Sequence, residues 1–541
     1  MVAGNGNAYG VRYGAAGTIL ESCPANACAM FGGVYHVEQG CRTIGTKAFG
    51  YLSDVHEVVL SDTVERLDKL AFVASSIERI VCPPSLKTIG ESAFLGCKNL
   101  REVVLNDGLV EIADDAFAHC SQLQALAVPA SVERFGRGVV RDTPVTACSS
   151  EQAFSFDKAN AWFVVDDQGI VYRRVPAEDA AQGEEALIAH DCLNPNLEEC
   201  TLPSNCVEVG ELAFAQHGML RSVVFPEGLK RIGDSAFFNC GRLVHVELPS
   251  TLVHIGARAF RETRVAEFVV APTVETIGEC AFSTVRYTPA SREMDWHSSA
   301  LVRIDGDNPH FKIDHGVLYR LDAQGVPWQV MQYVGPDVDV NILAGATEVG
   351  PIAFGGVRGL KSLVVPSTVR KIKPSGFALC EVPEYVEVKL PTPVDGRDSV
   401  VVHPVNDFYS LRAWTAAYAD GIVNPFELIN SFDRAAMSTP DFFDRSRYII
   451  SRLADPYHLR EGLGDYFAQE VRRDMVVIFD LFCKHDYRIG FDHLFAAGML
   501  DAKGLSAALE TASEQENVAM SAYLLELKRR VFPASDNDYE L

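Results

Sequence analysis

The sequence contains no apolar run that approaches the roughly 20 residues a helix needs to cross a bilayer. Its first thirty residues also lack the basic start and the sustained apolar stretch of a secretory signal. These absences argue against a membrane span, and they predict that the chain as it stands is cytoplasmic. The alternative location is the cell surface, if a signal segment has been removed.

Basic residues are scarce: 48 Lys and Arg stand against 72 Asp and Glu, which gives a net charge of -24. Nucleic-acid phosphates are bound by basic stripes. The one basic run, Lys528, Arg529 and Arg530, falls where we expect a helix to end, and cations at that end complement the helix dipole. The composition therefore predicts a protein partner and no nucleic acid.

Signatures of catalysis and cofactor binding are also missing. The sequence has no Walker loop, no His-Glu-x-x-His and no Gly-x-Ser-x-Gly. Two residue clusters could suggest a metal, but the first has no common zinc spacing and the second is typical of turns. These clusters are Cys192, Cys200 and Cys206 with His190, and Asp305, Asp307 and Asp314. We expect no catalytic, cofactor or metal site; an enzyme hidden in the C-terminal helices is the weaker alternative.

What the sequence does contain is a repeat of the dipeptide Ala-Phe. Successive copies within each block are 22 or 23 residues apart, and a repeat period in this range indicates a solenoid. The repeat phenylalanines are Phe49, Phe72, Phe94, Phe117, Phe214, Phe237, Phe260, Phe282, Phe354 and Phe377. One coil buries little by itself, so stability must come from stacking phenylalanine on phenylalanine and strand on strand.

The unit is clearest at residues 220–240, LRSVVFPEGLKRIGDSAFFNC. Its first apolar alternation predicts a strand that ends at Pro226, because proline cannot donate to a ladder. A short apolar pair with Ile-Gly follows, and then a turn or short helix directs Ala236 and Phe237 inward.

This unit resembles the BspA-type leucine-rich repeat. The resemblance implies an α/β repeat fold, a solenoid of short β-strands and short helices, over residues 41–400 behind a lead-in and cap at 1–40. It also implies β-hairpin islands between blocks of coils, at 160–172 (NAWFVVDDQGIVY) and 308–319 (NPHFKIDHGVLY). Many members of the family lie on cell surfaces, so an exported, adhesin-like protein remains the main alternative function.

After about residue 400 the period disappears and the pattern predicts an all-α domain over 401–530, followed by an acidic tail at 531–541. Amphipathic helices are predicted at 465–484, 491–497, 502–512 and 517–530, and two earlier helix starts at Asn424-Pro425 and Thr439-Pro440. Residues 491–530 are similar to ankyrin helix pairs, without their Thr-Pro-Leu-His signature. That resemblance implies packing positions at Ala512, Asn517, Ala522, Leu524 and Leu525.

Several of the 14 cysteines occupy a fixed slot in the repeat. Cys97, Cys120, Cys240 and Cys380 each lie three residues after a repeat phenylalanine. A slot filled elsewhere by His217 or by threonine is a packing position, so we expect buried free thiols. Free thiols agree with a reducing compartment.

These features predict a non-catalytic recognition or scaffold protein that binds another protein through the solenoid face or the helical module. On the solenoid, the residue between two inward positions of each strand should point outward. The candidate binding positions are Val59, Val81, Val104, Val224, Glu247, Val269 and Val364, with Ala127 at the equivalent place. The helical module is slightly favoured, because its surface is more varied than a row of valines.

Overall fold

The computed structural model describes residues 10–14, 17–25, 32–146, 154–175, 185–283, 300–335, 339–355, 357, 360–373, 376, 385–394, 397–402, 433, 436–437, 441–456, 459–460 and 462–532. The chain falls into two compact units, Met1–Ser283 and Thr284–Leu541. Each unit is described by itself.

Each regular coil of the first unit contributes two strands. The alternating segment forms a front strand such as Glu57–Val59, and the short apolar pair that follows forms a second strand such as Arg66–Leu67. Each strand pairs in parallel with its counterpart one coil away, so the coils stack through two separate ladders. Val58 and Leu67 face the interior, and both are buried.

Front strands of the first unit are mostly three residues long. They are Val34–His36, Glu57–Val59, Arg79–Val81, Glu102–Val104, Leu126–Val128, Phe154–Phe156, Glu199–Thr201, Ser222–Val224, His245–Val246 and Glu267–Val270. The second strands are Thr43–Ile44, Arg66–Leu67, Thr88–Ile89, Glu111–Ile112, Arg134–Phe135, Cys206–Val209, Arg231–Ile232, His254–Ile255 and Thr276–Ile277. A 3₁₀ turn, Pro144–Thr146, follows the first block.

The repeat phenylalanines form two ladders of parallel rings in the first unit. Ring centroids from Phe49 through Phe72 and Phe94 to Phe117 are 4.8–5.1 Å apart, with planes within 8°. Phe237 lies 5.2 Å from Phe214 and 5.3 Å from Phe260 in the second ladder. All of these rings are buried. The stacking predicted from the period is confirmed.

The segment around each Ala-Phe is a run of tight turns in the described coils. Leu70 and Ala74 flank one such turn, and both adopt left-handed φ angles of 61° and 51°. Their N–H groups, and that of Phe72, donate to carbonyls of the next coil. These bonds between coils replace the bonds along the chain that a helix would need, which explains why the segment forms turns, one of the two predicted alternatives, and not a short helix.

The glycine of the Ile-Gly pair allows neighbouring coils to approach closely. A Cβ on Gly256 would lie 2.4 Å from the backbone nitrogen of Asp234. Glycine is therefore required here by the spacing between coils.

The two predicted hairpins are confirmed as antiparallel pairs, Phe163–Val165 with Ile170–Arg174 and Phe311–Asp314 with Val317–Leu321. In each island the side-chain oxygen of the first asparagine accepts two backbone N–H bonds, from Trp162 and Phe163 in the first island and from His310 and Phe311 in the second. Asn160 also donates to the carbonyls of Pro129 and Val132 in the preceding coil.

A third strand, which the sequence pattern did not predict, completes each island. Leu187–Cys192 and Pro327–Tyr333 run antiparallel to the hairpin and parallel to the next second strand. The start of the chain repeats this arrangement, since Arg12–Gly14 pairs antiparallel with Ile19–Ser22, which then pairs in parallel with Thr43–Ile44. The third strand of each island thus starts a new parallel ladder of second strands.

The second unit continues the same pattern and then becomes helical. Its remaining strands are Leu301–Ile304, Asp339–Asn341, Glu348–Val349, Ser362–Val365, Lys371–Ile372, Tyr385–Val394 and Arg397–Val402. The continuous helices among its described residues are α1 (Phe442–Ala454), α2 (Leu463–Lys484), α3 (Ile489–Ala496), α4 (Ala502–Glu514) and α5 (Val518–Val531). Phe377 and Cys380 lie outside the described residues, as does the predicted start at Asn424.

Four predicted helices match α2 to α5 closely. The start predicted at Thr439-Pro440 lies two residues too early, because Asp441 caps α1 by accepting from the Asp444 N–H at 2.9 Å. Of the ankyrin packing positions, Ala512 and Leu524 are buried. Asn517 is half-buried, whereas Ala522 is exposed and Leu525 is 52% exposed, so these last two positions do not pack as the resemblance implied.

Helix α1 belongs to two cores. Tyr448 packs with Val386 and Val388 of the strand that follows the coils, whereas Ile449 packs with the other helices. Tyr448 donates its hydroxyl to Asp433 at 2.8 Å, and Arg452 forms a buried ion pair with the same carboxylate at 2.8 Å. The helical region is therefore joined to the end of the coils through a shared interior.

Candidate protein-interaction surface

Val59, Val81 and Val104, the valine row, lie at one register of adjacent front strands. Val81 and Val104 are paired residues, and Val59 occupies the same third position of the preceding strand. The three side chains are 39%, 41% and 40% exposed, whereas the central residues of these strands point into the core. Ala127 is exposed at the same place in the next coil. The alternation of the strands therefore presents an apolar row on a sheet, as the sequence predicted.

A ladder of charges borders the valine row. Arg79 lies between two glutamates of the neighbouring strands, with Nη1 at 3.4 Å from Glu57 Oε1 and Nε at 2.9 Å from Glu102 Oε2. The hydrogen bond to Glu102, the larger cause, raises the pKa of Arg79. An apolar strip with a polar border has the anatomy of a protein-binding surface.

The later members of the predicted set are more scattered. Val224 and Val269 are 56% and 50% exposed, but Glu247 lies between them in sequence, just beyond the strand His245–Val246. An acidic side chain therefore interrupts the apolar positions in this block. Ser222–Val224 and His245–Val246 still pair in regular register.

Val364 is half-buried, so it does not present the open apolar surface predicted for it. Strand Tyr385–Val394 pairs alongside it, with Glu387 opposite Val364, and then folds back as an antiparallel pair with Arg397–Val402. No repeat signal in the sequence predicts this hairpin.

The helices also expose large apolar side chains, which the sequence reasoning did not single out. Val476 and Val477 on α2 are 79% and 50% exposed, and Val518 on α5 is 80% exposed. Asn517 donates to the Cys483 carbonyl at 2.8 Å, which holds the start of α5 against the end of α2. Val476, Val477 and Val518 lie off the buried stripe of their helices, and this helical spacing could have identified them from the sequence.

The cysteines that the structure describes show no arrangement for chemistry. All of them are buried thiols. Cys97 and Cys240 donate their thiols to phenylalanine carbonyls of the preceding coil, Phe72 at 3.0 Å and Phe214 at 2.9 Å. Burial raises the pKa of Cys97 to about 11 and that of Cys240 to about 12. These thiols are hydrogen-bonded packing groups.

The cysteines near His190 do not assemble into a metal site. Among the residues that the structure describes, no group of three or more His, Cys, Asp or Glu side chains could hold a metal ion. The described helices likewise include none with the length and hydropathy of a membrane span.

Comparison with known proteins gives a family and several structures of low similarity. A family model described as the BspA type leucine rich repeat region matches in six copies, over residues 34–144, 190–288 and 338–394. The structure of the pneumococcal vaccine antigen PcpA is 20% identical, with a TM-score of 0.37, over 46% of this chain and 65% of that one. A leucine-rich repeat protein from Eubacterium ventriosum is 14% identical, with a TM-score of 0.40, over 71% of this chain and 92% of its own. No curated protein matches the sequence.

Proposed function

We propose, on the premise that the coils of this chain are BspA-type leucine-rich repeats, that the protein is a non-catalytic scaffold that binds another protein through the valine row. The observation that carries the proposal is the continuity of that row. Three exposed valines share one register of three adjacent strands. Exposed apolar surface with a polar border supports recognition of a partner.

The partner's contact should be largely apolar. Arg79 is already paired with Glu57 and Glu102, so the charge ladder has no free cation for a partner's carboxylate and keeps the charge of one glutamate uncompensated. Complementary apolar side chains would replace water over the valine row, and the ladder would fix the orientation.

The test is affinity capture from the native cell with three baits. The first is the wild-type protein, the second carries Val59→Lys, Val81→Lys and Val104→Lys, and the third carries Val476→Lys, Val477→Lys and Val518→Lys. Exposed substitutions typically change stability by no more than about 0.5 kcal/mol each, and melting temperatures check this. We expect the second bait to lose the wild-type partner and the third to retain it. The reverse result would place binding on the helices and refute the proposal.

A cytoplasmic location is proposed as well. The support is that the eleven cysteines within the described ranges are buried thiols, as is usual in a reducing compartment. Fractionation of the native cell with an antibody to the protein tests this. Recovery at the cell surface would instead favour the adhesin-like alternative.

A further inference from the structure

Regular coils are joined at their left-handed corners by backbone hydrogen bonds. Ser92 donates its N–H to the Asp114 carbonyl at 2.8 Å, and Asp115 donates to the Arg137 carbonyl at 2.9 Å. Gly138, with φ at 61°, occupies the next corner. Its N–H donates to the side chain of Asp191 at 2.8 Å, across 53 residues of sequence.

The Asp191 side chain thus takes the place of a backbone carbonyl as the acceptor, and it does so where one block of coils meets the next. In the described part of the chain, the second-strand ladder of the first block ends at Arg134–Phe135, and a new ladder contains Leu187–Cys192. His190 adds a second side-chain link, because its Nε2 lies 2.7 Å from the Phe135 carbonyl oxygen to which it donates. We refer to these contacts, of His190 with Phe135 and of Asp191 with Gly138, as the junction.

Asp191 is buried in the junction, and other charged groups compensate its charge only in part. Arg137 and Arg141 face it from the preceding coil, and these arginines are themselves paired with Glu211 at 3.6 Å and Asp115 at 2.8 Å. His190 and Cys192 flank it on its own strand. Burial outweighs the Gly138 hydrogen bond and the arginines, and it raises the pKa of Asp191 to about 7. Burial also lowers the pKa of His190.

We propose that Asp191 makes the junction a proton-controlled joint, in which the carboxylic acid holds the two blocks together more tightly than the carboxylate does. The neutral acid keeps an oxygen that accepts the Gly138 N–H but carries no buried charge. An aspartate released to water has a pKa of about 3.9. The stabilisation of the closed junction by protonated Asp191 is therefore fully present below about pH 4 and is lost as the pH rises through about 7. His190 acts in the opposite sense, because acid favours its exposure below about pH 6.5.

Hydrogen exchange of the full-length protein, followed by mass spectrometry between pH 5 and 7.5, tests the joint. The readout is the opening constant of a peptide that covers residues 134–141, corrected for the intrinsic pH dependence of exchange. The ratio of the wild-type constant to that of Asp191→Asn cancels the contribution of His190, which both proteins retain. We expect this ratio to rise more than about tenfold from pH 5 to pH 7.

Two controls make the result specific. Asp234 also accepts a backbone N–H from the adjacent coil, that of Ala257 at 2.7 Å, but it is exposed. Asp234→Asn should leave the pH dependence at 134–141 unchanged. His190→Gln removes the opposing titration, so the opening constant itself should then rise more than about tenfold from pH 5 to pH 7. This variant keeps the test decisive if Asp191→Asn does not fold.

A ratio that stays within about twofold across the pH range, or a flat opening constant in His190→Gln, would overturn the proposal. An equal pH response in residues 230–240 would also overturn it, because opening would then be global.

Discussion

Replacing Phe237 by alanine tests whether the ring ladder stabilises the coils. The ring is fully buried between Phe214 and Phe260, with planes within 9° of each, and its centroid lies 5.8 Å from that of Phe225 in an edge-to-face arrangement. Truncating a buried phenylalanine costs roughly 3–5 kcal/mol. Two ring stacks are lost together, each worth roughly 0.5–1.5 kcal/mol beyond buried area. We therefore expect a loss in the upper half of that range.

Equilibrium urea unfolding of the full-length protein, followed by circular dichroism, measures the change. Phe225→Ala is the matched control, because Phe225 is half-buried and meets the same ring in a single edge-to-face contact instead of two stacks. We expect the control to cost clearly less. An unchanged midpoint for Phe237→Ala, or equal losses in both variants, would refute the account of the ladder as the main source of stacking stability.

Two further substitutions probe close approach and buried charge. Gly256→Ala places a Cβ 2.4 Å from the Asp234 nitrogen and should lower the free energy of unfolding by roughly 1–3 kcal/mol, which thermal melts measure. Gly218→Ala should be nearly neutral, because a Cβ there would have no heavy atom within 4 Å. Equal melting temperatures of the two variants would contradict the close approach. Asp433→Ala removes the carboxylate that faces the buried Arg452 and should lower the free energy of unfolding by roughly 3–5 kcal/mol. Glu91→Gln, in the exposed pair with Lys69, should change it by at most about 1 kcal/mol. A small effect of Asp433→Ala would argue against the shared interior of α1.

Features with a strong period were predictable from the sequence. The Ala-Phe beat predicted the ring ladder, strand alternation predicted the outward valine row, and helical spacing predicted α2 to α5. Each of these signals recurs along the chain, so many residues indicate the same arrangement.

Features made by contacts between coils were not predictable. Second strands of two residues are too short to show a period. Leu70 and Arg258 adopt left-handed angles that their types disfavour, because hydrogen bonds to the next coil impose them. Val364 is half-buried beside a hairpin that shares no pattern with the repeat. In the candidate surface, the sequence therefore predicted orientation better than exposure.

The antiparallel starts of the second-strand ladders have a consequence for assembly. Ile170–Arg174 precedes Leu187–Cys192, Val317–Leu321 precedes Pro327–Tyr333, and Arg12–Gly14 precedes Ile19–Ser22. A ladder that began with a parallel strand would offer a template onto which the coils of a second molecule could add head to tail, and such contacts grow into fibres because they do not close. An antiparallel start reverses the hydrogen-bonding pattern at that edge. An antiparallel first strand such as Arg12–Gly14 therefore does not match the parallel coil of a second molecule, which opposes head-to-tail polymerisation at that edge.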